Sequence, residues 1–207
     1  MKIFAVSANY AARGGNKGNE TSFISQEAPV VFMKPDSALL KDGKPFFIPD
    51  FSEDIYGEAE LVVRICRLGK NISPRFAHRY YDALTVGIDF TARDVLRKLQ
   101  DAGKPWEIAK GFDGAAVVGD FVPVDAFPDM QKVNFGLQID GEWVQQGCAS
   151  GMLFKVDELI AWISRFYTLK MGDLLFTGAP SGTGPITADR HLQGYAEGQK
   201  LLDFYVR

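Results

Sequence analysis

The chain has 207 residues, 46% hydrophobic and 24% charged, with 26 Asp and Glu against 23 Lys and Arg for a net charge of −3. Such a length and balance suit one globular domain with a substantial core. They carry no electrostatic footprint for nucleic acid, and no Lys/Arg cluster in the sequence points to a membrane surface. No apolar run reaches transmembrane length, and Met1 to Ser7 is too short for a signal sequence, so a cytoplasmic protein is expected. Cys66 and Cys148 have neither metal nor redox spacing and read as reduced structural thiols.

Residues 2–7 predict a first strand. Residues 11–28 are polar and Gly-rich and predict a long loop. Val30 to Met33 is a short strand ending at Lys34-Pro35, and Asp42-Gly43 marks a turn before Pro45-Phe46-Phe47-Ile48. Residues 58–67 and 84–90 predict strands, with a short helix over 74–81 between them. A helix follows over 92–102, with Val95, Leu96 and Leu99 on one side and Gly103 as its stop. Residues 132–139 alternate and run through Asp140-Gly141 into 142–146, a hairpin signature. Residues 156–168 predict an amphipathic helix capped by Asp157, with Ile160, Ile163 and Phe166 apolar. Residues 173–177 and 199–206 predict strands, with a polar loop before the last one that contains His191. No linker, repeat or low-complexity segment is visible.

Within this pattern Glu58, Glu60 and Asp89 stand out, because all three lie in apolar strands. Residues two apart on a strand share a face, so Glu58 and Glu60 are side by side. Adjacent carboxylates repel, and burial strengthens the repulsion. A solvated sheet face would remove the problem, and so would a bound divalent cation. Oxygen donors without His or Cys suit Mg²⁺ first, then Mn²⁺ or Ca²⁺.

Five segments extend the pattern: Phe32-Met33-Lys34-Pro35, Glu58 to Val63, Asp89-Phe90-Thr91-Ala92-Arg93-Asp94, Pro105-Trp106 followed by Lys110-Gly111-Phe112-Asp113, and Thr177 to Gly184. In this order they resemble the fumarylacetoacetate hydrolase family, over nearly the whole chain. The acylpyruvate hydrolase and 2-hydroxyhepta-2,4-diene-dioate isomerase branches look nearest. The resemblance implies a mixed, mainly β, sandwich-like roll with short peripheral helices, usually a homodimer. It implies Mg²⁺ or Mn²⁺ held by the residues matching Glu58, Glu60 and Asp89. It also implies a small 2-oxo or 1,3-diketo acid as substrate, turned over through an enolate that the metal stabilises.

Lys110 would place a positive charge beside the developing oxyanion, against the alternative of a solvated surface lysine. Arg93 could clamp a substrate carboxylate, or pair with Asp94 or Glu107. Gly178 and its neighbouring glycines let backbone N–H groups approach an anion, with the Thr177 hydroxyl beside them. A plain Gly-rich turn is the alternative there.

The family's hydrolases carry a His closely followed by a Glu after the first strand. Here Asn9-Tyr10-Ala11 is followed by Ala12-Arg13-Gly14-Gly15, with no His. Arg13 cannot serve as a base, because guanidinium keeps its proton. Glu20 is the preferred substitute, ahead of Glu27. His78 and His191 match no site position. C–C hydrolysis of an acylpyruvate-type substrate is expected first, because the other motifs match that branch. The missing His moves isomerase, tautomerase and decarboxylase chemistry close behind, since making and reprotonating an enolate needs less than delivering hydroxide. A member that binds metal and oxo acid without turnover is the third reading.

Overall fold

The two longest strands are those that carry the acidic residues, of 11 and 12 residues. The computed structural model describes residues 1–11, 27–182 and 184–207. In chain order its strands are β1 (Ile3–Ser7), β2 (Val30–Lys34), β3 (Leu39–Leu40), β4 (Ile55–Ile65), β5 (Tyr81–Ala92), β6 (Ala116–Val118) and β7 (Val122–Pro123). They continue with β8 (Asn134–Ile139), β9 (Glu142–Cys148), β10 (Leu174–Phe176), β11 (His191–Ala196) and β12 (Gln199–Tyr205). The α-helices are α1 (Arg93–Asp101), α2 (Glu107–Lys110) and α3 (Val156–Ser164). The expected mainly β architecture with short helices is present.

One sheet has the order β2-β1-β10-β4-β5-β6-β3, with β7 also on β5. The other has the order β12-β11-β8-β9. The second sheet packs on β4 and β5 through β8, β11 and β12. Alternation explains the layering. Ala59, Leu61, Val86, Ile88 and Phe90 are buried, and the face they form meets the second sheet. Phe90 stacks on Phe46 at 3.9 Å and meets Phe204 edge-on at 6.3 Å. Glu58, Glu60 and Asp89 occupy the opposite face of the first sheet.

The hairpin expected at Asp140-Gly141 is present. Both residues have positive φ, 53° and 86°, and they join Ile139 directly to Glu142, as a turn of matching twist requires. Gly103, at φ 59°, closes α1 as expected. Val95, Leu96 and Leu99 are only half-buried on α1.

Four expectations are corrected. The helix over 156–168 ends at Ser164, and Phe166 lies beyond it, 57% exposed. Its cap is Lys155, whose N–H donates to Glu158 at 2.8 Å, and not Asp157. The helix predicted at 74–81 is a 3₁₀ turn, Pro74–Arg79. The loop expected around His191 is strand β11, in which Leu192, Gly194 and Ala196 point inward. Glycine and alanine at two of those inward positions hide the apolar alternation from a sequence reading.

Candidate metal centre

Register brings the acids together. In the β4–β5 ladder Glu58 faces Asp89, and Glu60 faces Gly87. A glycine opposite Glu60 leaves that carboxylate without a cross-strand side chain to crowd it. Glu60 and Asp89 are 2% exposed, and the Glu58 side chain is 35% exposed.

Two lysines grip Asp89. Lys110, at the end of α2, donates from Nζ to Asp89 Oδ2 at 2.8 Å and to Thr91 Oγ1 at 2.6 Å, and lies 4.0 Å from Glu58 Oε2. Lys34, at the end of β2, sits fully buried with Nζ 2.6 Å from Asp89 Oδ1. Its ammonium also donates to the carbonyls of Phe90 at 3.2 Å, Ala115 at 3.0 Å and Lys110. Phe32 covers the pair, 5.0 Å from Lys110 Nζ, with Trp106 edge-on behind it.

The charges tune one another. Burial pushes the Asp89 carboxyl up, but Lys110 and Lys34 outweigh it and hold Asp89 low. Burial would lower the Lys110 ammonium, but Asp89 and Glu58 outweigh it and hold Lys110 high. Lys34 is pushed down, because burial beats its attraction to Asp89. Glu60 is pushed well up, by burial first and then by Asp89, with one N–H from Gly178 opposing.

The residues fit a divalent cation in chemistry and charge. Asp89 Oδ1 is buried against the Lys34 ammonium, whose protons are shared with three backbone carbonyls. Glu60 is a buried carboxylate whose charge is incompletely compensated, which a cation would correct. Their oxygen-only donor set is that of a hard ion. Among the described residues, however, no three His, Cys, Asp or Glu side chains close around one point; the Lys110 ammonium stands beside Asp89 and Glu58.

The Gly-rich segment after β10 completes the site. The Thr177 hydroxyl and N–H both donate to Leu61 O, at 2.8 and 3.1 Å. Gly178, at φ 94°, turns its N–H to Glu60 Oε2 at 2.6 Å. Both groups, expected to meet a substrate anion, are thus engaged with β4. Arg93 lays its guanidinium 4.3 Å over the Tyr56 ring, while Asp94 takes Ser52 Oγ at 2.6 Å and the Val95 N–H at 2.9 Å.

Glu20 and Arg13 lie outside the described residues. Glu27 is exposed. His78 is exposed on its 3₁₀ turn. His191 stacks on Tyr205 at 4.4 Å and contacts Asp203 at 2.5 Å, both in the second sheet.

Sequence reading gave no role to three residues that shape this site. Lys34 was visible as a lysine closing an apolar strand. Asn9, fully buried, donates to Thr177 O at 2.7 Å and Phe154 O at 3.0 Å and accepts from the Phe154 N–H. Among the described residues the buried Tyr10 hydroxyl has no hydrogen-bond partner, and burial and then Glu60 push its pKa up. A cleft of about 850 Å³ lined by Met33, Phe51, Val95, Ile108 and Phe112 reaches Lys34 but none of the three acids.

The chain belongs to the fumarylacetoacetate hydrolase family, whose C-terminal domain pattern matches residues 2–202. The family comprises hydrolases, isomerases and decarboxylases, and this chain is an enzyme of that group. An oxaloacetate tautomerase of Escherichia coli is 35% identical over 201 residues, covering 97% of this chain and 90% of the relative. A mitochondrial oxaloacetate decarboxylase of Dictyostelium discoideum is 38% identical over 186 residues, covering 89% and 84%. The structure of fumarylpyruvate hydrolase from Pseudomonas aeruginosa, in complex with Mn²⁺ and pyruvate, superposes with a TM-score of 0.90. It is 30% identical and covers 100% of this chain and 89% of that one.

Proposed function

We propose that this protein is a divalent-metal-dependent enzyme that interconverts the enol and keto forms of an oxaloacetate-like 2-oxo acid. The observation that carries this reading is the buried Lys110–Asp89 pair beside Glu58, with no histidine contacting it among the described residues. Glu58, Glu60 and Asp89 would hold Mg²⁺ or Mn²⁺. When bound, such an ion polarises the keto oxygen as a Lewis acid.

The chain's own residues supply the rest. Lys110 uses two of its three protons on Asp89 and Thr91, which leaves one for an enolate oxygen. Asp89 and Glu58 keep that ammonium charged. Phe32 and Trp106 exclude water from its flank. Arg93, at the junction of β5 and α1, would take a substrate carboxylate. Enol–keto exchange then needs one proton carried to and from carbon, which a single carboxylate or a water can manage. The names of the Escherichia coli and Dictyostelium relatives support an oxaloacetate-like substrate.

C–C hydrolysis is the second reading, favoured by the Pseudomonas neighbour. It needs a base to deliver hydroxide, and Glu20 is the residue proposed for it. The homodimer implied by the family belongs to the same proposal, and sedimentation tests it.

An ultraviolet assay with oxaloacetate enol and with acetylpyruvate decides, each run with Mg²⁺, Mn²⁺ or EDTA and with Glu60→Ala as control. Metal-dependent ketonisation with acetylpyruvate untouched is the expected result. Metal-dependent cleavage of acetylpyruvate would replace it with the hydrolase reading. Binding of Mn²⁺ and oxaloacetate without any turnover would make the chain a non-catalytic binder.

A further inference from the structure

The geometry points to Gln145 as a positioning residue for the acidic strand and for the Gly178 turn, acting from the second sheet. This inference rests on the proposed metal site.

The β4–β10 ladder is short. On its β4 side, β10 pairs with Val62, Val63 and Arg64, and Thr177 adds its bonds to Leu61 O. At Gly178 the chain turns away, which aims its N–H at Glu60. Continuing the ladder would have satisfied the next backbone groups, and the departure strands them. Ala59 lies between the two glutamates on β4, so its N–H sets how the peptide units bearing Glu58 and Glu60 lie.

The Gln145 carboxamide stands in the gap. Its Oε1 accepts from the Ala59 N–H at 2.7 Å, and its Nε2 donates to Pro180 O at 2.7 Å. One planar amide thus does what a missing peptide group of the ladder would do. Gln145 is 3% exposed, so both bonds are shielded from water and neither group has a solvent substitute.

A bulge makes this placement possible. In the β8–β9 ladder Gln138 pairs with Trp143 and Leu137 with Gln145, so Val144 is the extra residue. The inserted residue returns Gln145 to the inner face opposite the buried Leu137. Bulges that re-aim one side chain recur beside active sites. Glu60, Gly178, Pro180, Gln145 and Ala59 then form a closed loop of bonds that fixes the Glu60 carboxylate from both its strand and its N–H donor.

The test uses the full chain with Mn²⁺ as probe. Mn²⁺ affinity is measured from the free-ion paramagnetic resonance signal for wild type, Gln145→Met and Gln145→Glu. Amide hydrogen exchange of metal-free protein is followed over residues 57–61 and 177–181. We expect Gln145→Met to weaken Mn²⁺ binding about 10- to 100-fold, as loss of ligand-orienting partners does, and to speed exchange in both segments. Gln145→Glu keeps an acceptor for Ala59 but loses the donor to Pro180; it should loosen 177–181 more than 57–61. It also serves should the methionine variant not fold. Mn²⁺ affinity within threefold of wild type, with both segments exchanging as before, overturns the inference. If wild type itself binds no Mn²⁺, the metal site fails, and the exchange of the two segments alone decides for or against Gln145.

Discussion

Lys110 Nζ lies 2.8 Å from Asp89 Oδ2 and 4.0 Å from Glu58 Oε2, so one buried ammonium bridges two acids that face each other across β4 and β5. In a low-dielectric site that charge is worth far more than in water. Lys110→Met should lower kcat for oxaloacetate ketonisation by about 10²–10³-fold, with the fold retained by circular dichroism. A change below about threefold would remove Lys110 from the proposed chemistry.

Lys34 presents the opposite balance between stability and chemistry. Its ammonium is buried under Asp89 and binds three backbone carbonyls. Lys34→Met leaves those carbonyls and one carboxylate oxygen without a donor or counter-charge. Removing one partner of a buried pair costs about 3–5 kcal/mol. Chemical denaturation should show a loss of that order, and a loss below about 1 kcal/mol would mean that water enters and replaces the lysine.

Gly178 is confined by conformation and by space. Its φ is 94°, and a Cβ there would lie 2.6 Å from Asn9 Cβ. Gly178→Ala should destabilise by about 1–3 kcal/mol, read as a melting-temperature loss of about 2–4 °C per kcal/mol for a chain of this size. It should also reduce metal-dependent turnover, because the N–H to Glu60 is displaced with the turn. An unchanged melting temperature would show that the turn relaxes freely.

Asp203 sets an acid limb of stability. Burial pushes its carboxyl up, but hydrogen bonds from Lys200, His191 and Gln193 outweigh it and hold the pKa at about 2. A lowered folded pKa means stability present above the unfolded value of about 3.9 and lost as pH falls toward 2. Asp203→Asn should therefore lower the melting temperature at pH 7 and narrow its gap to wild type between pH 4 and 2. Asp203 is 40% exposed on its side chain, so the effect should stay under about 1 kcal/mol. A gap that is constant with pH would assign the loss to packing.

Period and turn chemistry are local, so the sequence alone placed β4, β5, the Asp140-Gly141 hairpin and the shared face of Glu58 and Glu60. It also carried the motifs by which the family was recognised, and showed the absence of a histidine after Asn9-Tyr10-Ala11. What it could not place were contacts between residues far apart in the chain. The β4–β5 register that sets Asp89 against Glu58 is a pairing choice that no single segment contains. The burial of Lys34 depends on carbonyls 56 to 81 residues away, and the reach of Gln145 to Ala59 spans 86. β11 escaped because Gly194 and Ala196 are small where a strand reading looks for bulky residues, and the packing of Val86 and Leu202 around Gly194 explains the glycine. That Thr177 and Gly178 bond β4 was equally invisible, because it follows from the short β10, which leaves Leu61 O and Glu60 to be satisfied by whatever chain follows.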